Sequence, residues 1–415
     1  MHMPELRIYS SEIKELGDSD LPPIINTEDD KDKEKRDTLF KFINRLIDAE
    51  NLIVLAGSGT SLTFNRTGQP KIAPSMADLW EACKSLNENL FDEVLVIVRY
   101  SEVAETWPDG AQKEDIELLL SLCDTYASLK ILDEEEQGKI DTFLKASKSK
   151  ILDETRFTEK VTKDGWRTHN KFISALGHRS PKQKRLKIFT TNYDLAFEVA
   201  ASNTGLIIID GFEFGSPYRF NPAWYHYDIV NRTQASEKGG AYIPNVIHLY
   251  KIHGSVDWIR ANDGIYKIDK LAGKEGEPVF IYPSNTKYQS SYEPPYLDMM
   301  AAFLESVQKP KTALLCIGFG FNDKHINNAI TMALRTNPEF MLMAATKAPF
   351  DKEGSFNSEI RERLMSSVEA GDSRIAIVDC TFDVLVDLLP NRHKESPEER
   401  LIKLFDQVLS IGDVE

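Results

Sequence analysis

The sequence predicts an α/β fold, a doubly wound parallel sheet that carries a large helical insertion. Three observations predict it. Leu52-Ile53-Val54-Leu55-Ala56 is a continuous apolar run that ends in Gly57-Ser58-Gly59-Thr60-Ser61. That is how a strand buried on both faces reads when it feeds a Gly-rich turn. Further strand-like runs recur in the second half, with helical patterns between several of them, and such alternation makes a parallel sheet covered on both faces, of the Rossmann-like kind. Residues 76–178 show helical spacing only, over a length too great for a simple crossover.

The elements follow in order. Residues 1–36 read as an N-terminal arm or linker, in which Leu6-Arg7-Ile8-Tyr9 is able to add a short strand and Glu28–Arg36 is a solvated charge run. From Asp37, Leu39, Phe40, Phe42, Ile43, Leu46 and Ile47 make one apolar helix face. Within 76–178, helices are marked by Met76–Cys83, Phe91–Val98, Ile116–Leu122 and about Asp133–Leu152. Strand runs resume at Leu186–Thr190, Leu206–Ile209, Val246–Ile252, Val279–Tyr282, Leu314–Ile317, Phe340–Met343 and Arg374–Val378. Helical patterns at Tyr296–Val307, Asp323–Leu334, Phe382–Leu389 and Pro397–Leu409 complete the chain. The expected domains are 37–75 with 179–390 as the sheet domain, 76–178 as the insertion, and 391–415 as a C-terminal helix.

Composition narrows the function. The chain has 415 residues, 41% hydrophobic and 28% charged, with a formal net charge of −15. That balance argues against a surface that coats nucleic acid, which needs a basic face. Direct DNA contact through a local channel stays open. No apolar run of membrane-spanning length and no leader pattern are present, so a cytoplasmic protein is expected. The four cysteines, Cys83, Cys123, Cys316 and Cys380, are far apart in sequence. Without a Cys-x-x-Cys pair no zinc site or other metal site is expected, and reduced, buried thiols are.

Chemistry-bearing residues collect where strands end, which is where open α/β sheets bind ligands. Gly57, Ser58, Gly59, Thr60 and Ser61 follow the first strand. Thr191, Asn192 and Asp194 follow Leu186–Thr190. Asn192 offers an amide that both donates and accepts, and Asp194 either serves the site or caps the next helix. His253-Gly254 follows Val246–Ile252, which makes His253 the best placed of the eight histidines for acid–base work. His248, inside the strand, reads as a core residue, and His169, His178, His226, His325 and His393 as structural. Gly318, Phe319, Gly320 and Asp323 form another Gly-rich turn into a helix, with Asp323 a candidate N-cap.

Taken together, these four pieces resemble the sirtuins. Gly57-Ser58-Gly59-Thr60-Ser61 is similar to their Gly-Ala-Gly-x-Ser loop. Thr191-Asn192-Tyr193-Asp194 is similar to their Gln-Asn-Ile-Asp motif in its bacterial form, Ile252-His253-Gly254 to the segment with the catalytic His, and Gly318–Asp323 to the NAD-ribose loop. The resemblance covers about residues 38–345. It departs from the deacetylases in having no zinc module and in Phe64-Asn65-Arg66, a poor match to their Asp-Phe-Arg segment. The resemblance therefore implies NAD+ as substrate, cleaved with water as acceptor, as in the NAD hydrolases of bacterial antiphage systems. It implies pyrophosphate contact at Gly57, Ser58, Gly59 and Ser61, a water or ribose hydroxyl held by Asn192, His253 as base, and Asp194 orienting the nicotinamide amide. It further implies a homo-oligomer and a HerA-type ring ATPase as partner. A deacylase acting without zinc, a non-catalytic NAD or ADP-ribose sensor, and, ranked low, a nuclease subunit are the alternatives.

Overall fold

A computed structural model describes residues 5–13, 22, 24–26, 30–65, 69–104, 106, 112–129, 131–179, 183–231, 241–268, 276–280, 294–351, 354 and 356–390. The strands in chain order are β1 (Glu5–Ser10), β2 (Ile24–Asn26), β3 (Asn51–Ala56), β4 (Leu186–Thr190), β5 (Ile207–Ile209), β6 (Val230–Asn231), β7 (Ala241–Tyr242), β8 (Val246–Lys251), β9 (Gly254–Ala261), β10 (Gly264–Lys267), β11 (Glu277–Phe280), β12 (Thr312–Ile317), β13 (Met341–Thr346) and β14 (Ile375–Asp379).

Nine of them form one sheet in the order β2-β1-β14-β13-β12-β3-β4-β8-β5. The seven strands from β14 to β5 pair in parallel. The chain builds outward from β3 to β4 and then β8, with β5 beyond it. It then crosses to β12, β13 and β14 on the other side. That reversal between β3 and β12 opens a crevice at their C-terminal ends, where doubly wound sheets take ligands.

Both faces of the sheet are covered, and β3 shows how. Its side chains alternate with a period of two. Leu52, Val54 and Ala56 enter one core with helices Lys33–Asp48, Arg167–Gly177, Ala196–Asn203 and Phe382–Leu388. Ile53 and Leu55 enter the other with helices Tyr296–Gln308, Lys324–Thr336 and Ser358–Glu369. The expected mostly parallel, Rossmann-like architecture is the one observed.

Several expectations need correction. The N-terminal segment has the short strand that Leu6–Tyr9 suggested, since β1 pairs antiparallel with β14, and β2 pairs with β1. Leu6, Ile8 and Ile25 are buried in the first core, so this segment packs as part of the sheet. The helical insertion has a separate core of residues between Leu79 and Ile151, including Trp80, Phe91, Leu119 and Phe143. Helix Arg167–Gly177, expected within the insertion, covers the sheet instead, because Phe172, Ile173 and Leu176 pack there. The run at Val279 is β11, which pairs antiparallel with β9 in a separate three-stranded sheet. The β9–β10 hairpin, turned by Asn262-Asp263 before Gly264 at φ 152°, has no counterpart among the predicted strands. Ile281, Tyr282 and the expected helix Pro397–Leu409 lie outside the described residues. Among the described residues no helix is long and apolar enough to cross a membrane, and all four cysteines are buried and unpaired.

One buried residue makes the fold acid-sensitive. His169 is fully buried, neither ring nitrogen has a partner among the described residues, and the ring stacks on Phe64 at 4.4 Å between centroids. Burial lowers its pKa from 6.5 to about 3. The unfolded chain therefore binds a proton that the native state refuses between those values, and stability falls as pH drops below about 6.5, by at most about 1.4 kcal/mol per pH unit for this residue. His169→Phe is expected to flatten this slope in urea unfolding measured from pH 5 to 7. An identical slope in wild type and variant would show that His169 is not its source.

Candidate active site

Two Gly-rich turns meet backbone to backbone at the crevice. Gly57 N–H donates to Ile317 O at 3.0 Å, Gly59 N–H to Gly318 O at 2.9 Å, and Gly318 N–H to Ala345 O at 3.0 Å. A Cβ on Gly57 would lie 2.6 Å from Gly318 O, and one on Gly59 2.6 Å from Gly318 Cα. Gly318 itself has φ 55°, and its Cβ would meet Gly59 and Thr60 backbone at 2.7 Å. The two turns thus fit only as glycines. The Gly57 and Gly59 N–H groups are engaged by the end of β12 and by the Gly318 turn. Ser58 alone in the turn is exposed.

Behind the turn lies a buried polar network. Asn192 Nδ2 donates to Gly57 O at 3.0 Å, Thr60 Oγ1 at 3.1 Å and Ser61 Oγ at 2.9 Å. The amide orientation follows from the partners. Thr60 Oγ1 already donates to Gly57 O, and Ser61 Oγ to Asp194 Oδ2 at 2.6 Å, so both hydroxyls are left to accept. Asn192 Oδ1 then takes no hydrogen bond from the described residues. Asp194 caps the following helix as well, since its Oδ1 accepts from Ala196 N–H at 2.9 Å. Ser61 and Asp194 therefore also act as internal supports of the turn. Thr191 ties the turn to β3 through N–H to Ala56 O at 3.1 Å.

His253 and Asp323 close the other side. His253 Nε2 stands 3.3 Å from Asp323 Oδ2, with both residues buried. Asp323 is also the N-cap of its helix, accepting from His325 and Ile326 N–H at 2.8 and 3.1 Å. Burial raises the Asp323 carboxyl, but the hydrogen bond and charge of His253, then the Ile326 N–H and the His325 charge, outweigh it, and the group stays below the usual aspartate value. Phe319 is buried and packs at 5.1 Å on Phe321, which leaves the backbone of the turn as what it offers the crevice. Gly320 O accepts from Asn357 N–H at 2.8 Å.

Two residues were not legible as part of this site. Lys251, buried at the end of β8, holds Tyr193 O at 3.2 Å, Asp194 O, and Glu198 Oε1 at 3.0 Å. A lysine closing an otherwise apolar strand is the signal that marks it. Glu117, from the insertion helix Ile116–Leu129, accepts from Tyr193 O–H at 2.8 Å. An acid inside the run Ile116–Leu120 is the only sequence sign of it.

Residues 186–365 match a family model described as a SIR2-like domain. No curated protein sequence matches the chain. Among solved structures the chain is similar to point mutants of a Sir2 homologue in complex with ADP-ribose. One is 10% identical, with 80% of this chain and 96% of that chain covered and a TM-score of 0.33. A second is 14% identical over the same shares, with a TM-score of 0.31.

The glycine contact makes a direct prediction. Gly57→Ala and Gly318→Ala each force backbone atoms apart, and each is expected to destabilise the protein by roughly 1–3 kcal/mol. Thermal unfolding of the two variants measures this, and wild-type midpoints would show that the turns have room to separate.

Proposed function

We propose that the chain is an NAD+ glycohydrolase that splits the nicotinamide glycosidic bond to give nicotinamide and ADP-ribose. The observation that carries this reading is the meeting, at one topological switch point, of the Ser58 turn, the free acceptor of Asn192, and the buried His253–Asp323 pair. The SIR2-like match over 186–365 supports it.

The chemistry asks little of an acid. The nicotinamide ring is cationic while bonded and leaves neutral with the electron pair of the broken bond, so no proton has to be supplied. The ribose carbon passes through an oxocarbenium-like state, as in glycoside hydrolysis. What the site must supply is position and a dry surrounding. Ser58, exposed in its turn, is the residue to meet the pyrophosphate, with Thr60, Gly318 and Gly320 shaping the wall. Asn192 Oδ1 accepts from the attacking water or a ribose hydroxyl. His253, steadied by Asp323, takes the proton as the new carbon–oxygen bond forms, and passes it to solvent. Asp194 and Ser61 hold Asn192 in place.

The absence of paired cysteines from the sequence supports water as acceptor over a deacylase reaction. In this reading the enzyme acts in the cytoplasm as a homo-oligomer with a HerA-type ring ATPase, and depletes NAD+ during phage infection. The likeness of Thr191–Asp194 and Gly318–Asp323 to bacterial sirtuin-like proteins supports that role.

Incubation of the purified chain with NAD+, alone and with a HerA-type ATPase, should release nicotinamide and ADP-ribose, separable by chromatography. Asn192→Ala and His253→Ala are each expected to slow this by ~100-fold or more. Full activity in both variants would refute the assignment, and NAD+ bound but intact after hours would favour a sensor.

A further inference from the structure

We infer that Glu117, which the helical insertion carries to the rim of the site, is a positioning residue for the turn that bears Asn192. Its consequence for turnover rests on the NAD-cleaving reading; its geometry does not.

Glu117 lies on helix Ile116–Leu129, whose Ile116, Leu119 and Leu120 are buried in the insertion's own core. Its carboxyl reaches the sheet domain, where Tyr193 O–H donates to Oε1 at 2.8 Å. Tyr193 is buried and stands between Asn192 and Asp194. Its backbone is held from the opposite side, since Tyr193 O accepts from Lys251 Nζ at 3.2 Å and from Val256 N–H at 3.0 Å. One residue of the turn is therefore clamped at both ends. The strands β8 and β9 fix its carbonyl, and the insertion fixes its phenol. Asn192 is the next residue back, and its three Nδ2 contacts need that backbone held still.

The charged and titratable groups facing Glu117 are His253, Asp115, Tyr193 and Asp323. Burial raises its carboxyl, and the pull of His253 and the Tyr193 hydrogen bond, set against the push of Asp115 and Asp323, leaves it above the usual glutamate value. A carboxylate accepts a hydrogen bond more strongly than a neutral acid. The clamp consequently tightens as pH rises through the titration of Glu117, which ties the order of the turn to the protonation of one insertion residue.

The test compares the wild-type chain with Glu117→Ala, Glu117→Gln, Tyr193→Phe and the double variant E117A/Y193F. Amide exchange of residues 190–196 is the first measurement and NAD+ turnover from pH 5 to 8 the second. Glu117→Ala and Tyr193→Phe are each expected to speed exchange and lower kcat by ~10-fold, with KM little changed. The double variant should be no worse than the worse single one, because both remove the same bond. Glu117→Gln keeps an acceptor and should recover most of both effects while losing the pH dependence of exchange seen in wild type. Wild-type exchange in Glu117→Ala and Tyr193→Phe, or additive losses in the double variant, would overturn the inference. Faster exchange in those variants, with no turnover by the wild-type chain, would uphold the positioning role and reject the NAD-cleaving reading.

Discussion

The contact on which the site depends is made of backbone alone. Gly57 and Gly59 lie against Gly318 so closely that no side chain fits between them. Hydrogen bonds from the two glycine N–H groups cross the same gap. This contact joins the ends of β3 and β12, the two strands flanking the switch point. Everything polar in the crevice is referred to it. Asn192 reaches Gly57 O from one side, and Asp323 follows Gly318 within the same turn on the other. Glycine here is required by close approach and, at Gly318, by a left-handed φ.

Around that contact, polar groups are buried in pairs, each leaving a single group over. Thr60, Ser61 and Asp194 satisfy one another and Asn192 Nδ2, which leaves Asn192 Oδ1. Asp323 satisfies two helix N–H groups with one oxygen and His253 with the other, which leaves His253 Nδ1 without a described partner. Buried polar atoms tend to be fully paired. In the proposed function these two atoms are the ones left to meet a polar small molecule.

Much of this was legible from residues. The apolar runs marked all seven parallel strands and located β11, because strands buried on both faces carry an unbroken apolar signal. The four strand-end clusters were legible because each breaks such a run with glycine or a small polar residue. What escaped has equally physical reasons. The strands β9 and β10 mix Ser255, Asp257, Arg260 and Lys267 with apolar residues, so their period is blurred. The strand at Leu6–Tyr9 was legible, but its place in the main sheet was not, because its partner β14 is remote in sequence. Lys251 and Glu117 act through carbonyl and phenol contacts that only the folded chain creates.

The pairing of β1 with β14 has a consequence for how the chain is made. Arg7 lies opposite Asp379, and Ile8 opposite Val378. During synthesis at about 5–20 residues per second, β1 leaves the ribosome tens of seconds before its partner exists. Through that interval its buried residues Leu6 and Ile8 have no sheet to enter. The insertion, with its own core, has all its residues by Ile151 and is able to condense early. The sheet is sealed only at the end, when the last parallel strand arrives and the first segment of the chain closes over its edge.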